Sequence, residues 1–286
     1  MKNKDFSFWL FLSPVIIGLG LVVLIPLIYG FYYSFTNWNG VNQAEFIGLK
    51  NYVDIFSDQE FRHSLWFTFK FSFVSVIVIN IMGLGLAMLV TSYIKSKNIL
   101  RTVFFMPNLI GGLILGFIWQ FVFTKVFDAI GRMTGIEWMQ GWLSDTQTGF
   151  WGLVILMSWQ MAGYIMIIYI AYLENVPKDL LEAAEIDGAN AMQRFRHITF
   201  PLVAPAFTVS LFLTLSHAFK IYDQNLSLTN GGPFNSTTMV SMDIVNTAFQ
   251  MNQMASAQAK AVIFFIIVAV ISLTQVYINK KREVEM

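Results

Sequence analysis

The chain contains no cysteine, which excludes disulfides, thiolate-bound metals and a cysteine nucleophile. Charge is scarce as well. Asp, Glu, Lys and Arg make up 12% of the 286 residues, against roughly 25% in a soluble domain. With 56% hydrophobic residues, this is not a soluble enzyme with an ordinary surface. Histidine is rare too: His63, His197 and His217 stand in three different segments and form no metal or catalytic constellation, so structural roles are the default. Neither metal nor cofactor is expected. No G-x-x-x-x-G-K-[ST] run occurs, so the chain has no P-loop to cradle ATP phosphates. A formal net charge of +1 offers nucleic acid nothing to bind.

What the chain has is long stretches free of charge. Between Lys70 and Lys95 lie 24 uncharged residues, between Arg101 and Lys125 23, and between Asp145 and Glu174 28. Between Arg196 and Lys220 there are 23, between Lys260 and Lys280 19, and a sixth window runs from Ser7 to Phe35. Each is close to or above the roughly 20 residues a helix needs to cross a bilayer core. The first window is longer than a signal-peptide core and carries no small-residue cleavage site, so it counts as a span. The expectation is an all-α integral membrane protein in lipid, one domain over 1–286. Six transmembrane helices are placed near 7–35, 69–92, 102–124, 149–173, 200–219 and 260–279, with a loop at 174–199.

An even number of spans puts both termini on one side. If that side is the cytoplasm, the inner segments hold Lys2, Lys4, Lys95, Lys97, Arg101, Lys178, Arg194, Arg196, Lys280, Lys281 and Arg282, eleven of the 18 basic residues. That bias obeys the positive-inside rule. Lys70 and Lys260, at helix ends outside, fit cations that snorkel to the interface.

The segment 174–199, with the sequence LLEAAEIDGANAMQRFRHIT at its heart, therefore faces the cytoplasm. Asn175 suits a helix cap and Pro177 a first turn. Glu182 and Glu185 sit near the positive N-terminal half, and Gly188 is a stop. Leu180, Leu181, Ala183 and Ala184 form an apolar side, and small alanines permit another surface to approach closely. A further turn with Phe195 and Ile198 leads to Pro201 and Pro205. A helix lying on the bilayer is the alternative, but such helices carry Lys and Arg with bulky anchors. Acids and alanines suit a protein groove better.

This stretch resembles the EAA loop of permease subunits of binding-protein-dependent ABC importers, in the pattern E-A-A-x-x-D-G-A, then F-x-x-I, then x-P. Glu182, Ala183, Ala184, Asp187, Gly188, Ala189, Phe195, Ile198 and Pro201 fill it. The resemblance implies the type I permease fold of ABC importers, with a cytoplasmic coupling helix between helices 4 and 5 that sits in a cleft of a separate ATPase. FKIYDQNLSLTNGGPFNSTT resembles the L-T-x-G-G-P stretch of carbohydrate-uptake permeases, through Leu228, Thr229, Gly231, Gly232 and Pro233. Its 230–233 core also reads as a plain tight turn. Asn225 and Asn235 open glycosylation sequons that are taken as coincidence. FTNWNG at 35–40 and FIGLKNYVDIF at 46–56 are similar to the same family. One departure is Gln253, where the family commonly has a glycine before A-S-A; it leaves open the backbone path into the last span.

The resemblance implies a second permease subunit, two ATPase subunits and an extracytoplasmic solute-binding protein as partners. Catalytic residues are not expected here, because ATP would be hydrolysed on the partner. A polar solute would need amides, hydroxyls and aromatic faces in the membrane. Asn80, Trp119, Gln120, Trp159, Gln160, Tyr164, Ser210 and Thr214 are candidates, although the same residue types also bond helix to helix. Gly112 and Gly116 give a small-xxx-small spacing that fits close packing. A sugar or oligosaccharide is the expected solute. Alternatives are another solute such as glycerol phosphate and, less well supported, a stand-alone secondary transporter.

Overall fold

The computed structural model describes residues 2–92 and 96–281, with side chains from residue 8 onward. Lys2, Lys4, Lys95 and Arg282 of the charge argument lie outside these residues or side chains. The described residues form helices and connecting turns, and their one β-bridge joins Thr36 to Phe46. In chain order the helices are α1 (Phe8–Tyr33), α2 (Lys50–Ser57), α3 (Gln59–Thr91), α4 (Lys97–Phe105), α5 (Gly112–Thr134) and α6 (Thr146–Leu173). They continue with α7 (Lys178–Ile186), α8 (Ala191–Phe219), α9 (Asp223–Leu228), α10 (Val240–Val245) and α11 (Met254–Lys280). Six of them, α1, α3, α5, α6, α8 and α11, are long and apolar enough to cross a membrane.

Local chemistry moves several of the expected boundaries. Helix α3 begins at Gln59, not 69, because Asp58 caps it: its Oδ1 accepts from the backbone N–H of Glu60 at 2.9 Å and Phe61 at 3.1 Å. Asp145 does the same for α6, accepting from Gln147 and Thr148. Helix α11 starts at Met254, earlier than 260. The largest correction concerns 102–124, which is not one helix. Pro107 has no N–H to donate and disfavours helix before it. The chain tightens to a 3-10 turn over Met106–Leu109 and runs extended at Ile110 and Gly111. Helix resumes at Gly112, so the third span is α5. Short α4 instead lies against α6, where Gly163 is required: a Cβ there would stand 1.8 Å from the Phe104 carbonyl oxygen.

The chain divides into two compact units, Met1–Arg62 with Asp243–Ile266, and His63–Met242 with Ile267–Met286. The second is built around α6, with 67% of its apolar window buried, including Leu153, Leu156, Ile165, Met166 and Tyr169. Phe71 and Ile79 of α3, Leu115 and Phe123 of α5 and Ala206 of α8 close around it. Gly116 lets α5 meet α9, since a Cβ there would fall 1.8 Å from Ser227 Oγ. The close-packing expectation for Gly112 and Gly116 is thus met against α9. In the first unit, α2 buries Asn51 and Ile55. The Asn51 amide donates to the carbonyls of Ser34 and Thr36, both at 2.8 Å.

Candidate functional site

Helix α7 and the turns around it connect α6 to α8, with Leu181 packed against the hydrophobic core. Pro177 occupies the N-cap position in an extended conformation with no side-chain cap. Asn175 does not cap α7 as expected; its amide turns back and donates to Ala171 O at 2.8 Å, closing the end of α6. At the other end Gly188, with φ +83°, makes the left-handed turn. Its N–H bonds to Glu185 O and that of Ala189 to Ala184 O, at 3.0 and 2.9 Å, a Schellman closure. Asn190 then starts α8 with a capping box to Gln193.

No residue of α7 is buried. Leu181 and Ala184 are half-buried, while Glu182, Ala183, Glu185, Asp187 and Gly188 are exposed. Phe195 is half-buried and opens the π-helical turn Phe195–Thr199 that carries α8 toward Pro201. Sequence reasoning missed Ile186. It is 87% exposed, one turn from Glu182 and beside Asp187, and a bare isoleucine on a charged surface signals a missing partner surface. Arg194 braces the segment, bonding Glu185 at 3.2 Å and the Ala189 carbonyl at 3.2 Å. Arg101 and Glu174 pair at 2.5 Å and tie α4 to the end of α6.

The polar residues of the spans separate into two groups. Asn80 is 5% exposed and has no free group: it donates to Val76 O and Thr214 Oγ1 and accepts from the Tyr169 hydroxyl, at 2.8, 3.1 and 3.0 Å. Ser210 and Thr214 are fully buried and bonded to carbonyls one turn back. These three knit α3, α6 and α8 together, and in this structure they face packed protein rather than a path. Gln120 donates to Leu228 O at 3.2 Å and serves the α5–α9 contact.

Gln160 is different. Its amide donates to Ile110 O at 3.2 Å and accepts from Gln224 at 2.9 Å, yet it lines an open cavity of about 350 Å³ with Asn108, His217, Lys220 and Gln224. Trp159 beside it is 40% exposed and meets Trp119 edge-on at 5.6 Å. Tyr164 is half-buried among α6's neighbours. The break at Ile110 is what lets a backbone carbonyl reach Gln160.

The 228–239 stretch is ordered by a buried amide. Asn225 donates to Thr229 Oγ1 and Thr237 O and accepts from Met239 N–H, at 3.0, 2.9 and 3.2 Å. It is fully buried, which removes the first sequon. Gly231 takes φ +75°, the Gly232 carbonyl accepts from Thr237 Oγ1 at 2.7 Å, and Gly232–Pro233 is a cis peptide. Phe234 beyond it is fully exposed.

Lys260 corrects an expectation. It is not a snorkelling cation but 3% exposed, and its three donors are all used: Asp58 Oδ2 at 2.8 Å, Asp243 Oδ2 at 2.9 Å and Thr247 Oγ1 at 2.9 Å. Lys70, by contrast, is exposed, its ammonium 4.6 Å from the Phe150 ring centre. Burial pushes the Asp58 carboxyl up, but hydrogen bonds from Lys260 and from the Phe61 and Glu60 amides outweigh it and hold the carboxyl below its ordinary value. At Asp243 burial prevails over Lys260, and the carboxyl is raised.

Comparison with known proteins places these features in context. Residues 79–284 match the family described as "Binding-protein-dependent transport system inner membrane component". A "Probable starch degradation products transport system permease protein AmyD" of Thermoanaerobacterium thermosulfurigenes is 60% identical over 279 residues, 98% of this chain and 96% of that one. A "Multiple sugar-binding transport system permease protein MsmF" of Streptococcus mutans is 31% identical over 284 residues, 99% and 98% of the two chains. Among solved structures, a bacterial ABC transporter that imports the acidic polysaccharide alginate superposes with a TM-score of 0.85 at 20% identity, covering 98% of this chain and 96% of that one.

Proposed function

The chain belongs to the family of inner membrane components of binding-protein-dependent transport systems, and on that premise we propose that it is the permease subunit through which starch-derived oligosaccharides enter the cell. The protein is a multi-pass membrane protein. In this reading it lies in the cytoplasmic membrane with both termini and α7 inside. It pairs with a second permease chain, two ATPase subunits and an extracytoplasmic solute-binding protein. ATP binding draws the two α7 helices together with the ATPase dimer and turns the cavity outward; hydrolysis returns it inward. The ATP chemistry belongs to the partner.

The observation that carries this reading is α7: an exposed surface of Glu182, Ala183, Ile186 and Asp187, closed by a left-handed Gly188 and rigidly continued into α8. It supplies the acids, the small residues and the bare aliphatic side chains of Leu180 and Ile186 that a protein groove takes. The solute assignment draws on the starch-product and sugar permeases to which the chain is similar over almost its whole length. Trp159 and Gln160 are the residues proposed to meet the sugar. A second reading, an anionic solute, draws on Lys220 and His217 at the Gln160 cavity.

The test is uptake by the full transporter in proteoliposomes. Glu182→Lys is expected to abolish ATP-driven uptake of maltotriose while the permease still inserts; unchanged uptake sinks the coupled-permease reading. Calorimetry of the solute-binding protein against malto-oligosaccharides and phosphorylated sugars decides between neutral and anionic cargo. Because the chain lacks cysteine, Asp187→Cys reports sidedness directly, and labelling from the outside would reverse the orientation.

A further inference from the structure

The first unit contains a cavity of about 420 Å³ lined by the turn after α1, by one face of α2 and by the turn leading into α11. That size falls within the ~300–1,000 Å³ of small-molecule sites. Spans α1 and α3, and α8 and α11, are joined on the same side of the membrane, so in the orientation proposed above this cavity opens outside. Its walls come from FTNWNG, from FIGLKNYVDIF and from the turn that carries Gln253.

The backbone path that Gln253 left open is settled locally. The left-handed residue is its neighbour Asn252, at φ +55°. The Gln253 N–H bonds Thr247 O at 3.0 Å and the Ala255 N–H bonds Trp38 O at 2.9 Å. The turn thus needs no glycine, and the long amide of Gln253 is carried into the cavity wall.

The wall chemistry is specific. Trp38 is half-buried and held rigid by Tyr33, stacked at 4.3 Å and 23°. Around it Lys50, Asp54, Asn252, Gln253 and Ser256 line the cavity and enter no side-chain hydrogen bond or ion pair among the described residues. Asn51 spends both amide hydrogens on backbone carbonyls, which leaves its oxygen as an acceptor. Lys50 and Asp54, one turn apart on α2, cancel each other's charge and select against a strongly ionic ligand. A fixed indole ringed by uncommitted donors and acceptors matches a molecule with apolar C–H faces and many hydroxyls.

We infer that this cavity is an outer saccharide subsite, in which Trp38 stacks on a sugar ring and Gln253, Asn252 and Asp54 bond its hydroxyls before the solute passes to the membrane path. The inference rests on the sugar-transport reading. Here Gln253 is a specificity element, not an accident of the turn.

The test uses the complete transporter, both permeases with the ATPase, in nanodiscs without the solute-binding protein, titrated with maltotriose. Wild type is expected to bind it weakly. Trp38→Ala raises Kd up to about tenfold, the reach of one lost aromatic stack, and Gln253→Ala raises it a few-fold. Gln253 is exposed and its side chain is unbonded, so Q253A tests the cavity without endangering the fold. Unaltered affinity in both variants, or no maltotriose binding by wild type, overturns the subsite. So does weaker capture of the solute-binding protein with maltotriose affinity unchanged, which would make the cavity a protein dock. Wild-type uptake of maltotriose with its binding protein is measured in parallel. If uptake is robust and the variants bind normally, the subsite alone fails; if wild type imports no α-glucan at all, the transport reading fails.

Discussion

Replacing Lys260 by Met deletes one ammonium and keeps a flexible side chain in its place. The lysine is 3% exposed, and Asp243 beside it is 5% exposed. Asp58, at 30%, is the only member with access to water. Removing one partner of a buried pair costs about 3–5 kcal/mol, because the other charge stays buried without compensation. Asp58 can turn toward solvent and still cap α3, which places the cost at the lower end, about 3 kcal/mol. By soluble-domain scaling that lowers the melting temperature by roughly 6–12 °C. The measurement is thermal unfolding of the purified full transporter by intrinsic fluorescence. Lys260→Met/Asp243→Asn removes the stranded charge and is expected to recover at least half of the loss. The pH dependence has a definite sign. The raised Asp243 favours the protonated form when folded, so its contribution is full below the ordinary carboxylate range and fades as pH rises through the raised value. Asp58 contributes above its ordinary value, and that contribution is lost as pH falls through its lowered one. Without Lys260 both acids move up, so the single variant's deficit narrows as pH falls toward about 4. A single variant as stable as wild type, or a double variant no better than the single, refutes the reasoning.

Three further outcomes follow from the geometry. Gly188→Val forces a branched residue to φ +83°, costing about 1–2 kcal/mol locally; ATPase activity in the assembled transporter should persist while uptake falls. Gly163→Ala sets a Cβ 1.8 Å from a backbone oxygen, an overpacking cost of at least 1–3 kcal/mol by comparison with crowded cores, read as reduced yield of folded protein or a lower melting temperature. Asn80→Leu and Gln160→Ala should divide by role. The first lowers stability and leaves the solute preference intact, whereas the second changes the uptake rate or preference with little loss of stability.

Six spans were legible because charge is excluded from lipid and its absence marks each window. Continuity was not. The window from 102 to 124 contains no charge, but Pro107 and Gly111 break the helix inside it, and residues 102–105 belong to α4. Lys260 looked like an interfacial anchor because its position at a helix end is visible in sequence, whereas its partners are not: Asp243 is 17 residues away and Asp58 lies in the connection between the first two long helices. The segment around α7 was the most legible part of the candidate site, since α7 depends on contiguous residues and on one glycine. Even there Asn175 fits a cap by type but is claimed by the preceding helix, and Ile186 drew no notice because an isoleucine is unremarked in an apolar chain until its exposure is known.

The in-membrane polar residues show where residue type stops being informative. Asn80 and Gln160 are both amides inside spans, and both find partners within the chain. Asn80 is enclosed by α3, α6 and α8, and an exchange of its bonds for a solute's hydroxyls would require those helices to part. Gln160 makes its bonds at the edge of an open cavity, to a carbonyl freed by the break at Ile110 and to another glutamine, and each can be traded for a hydroxyl without moving a helix. Apolar patterning cannot separate the two, because both cost the same to bury in hydrocarbon. The helix break separates them, so Pro107, which ends α4, also decides which amide stands at an open cavity.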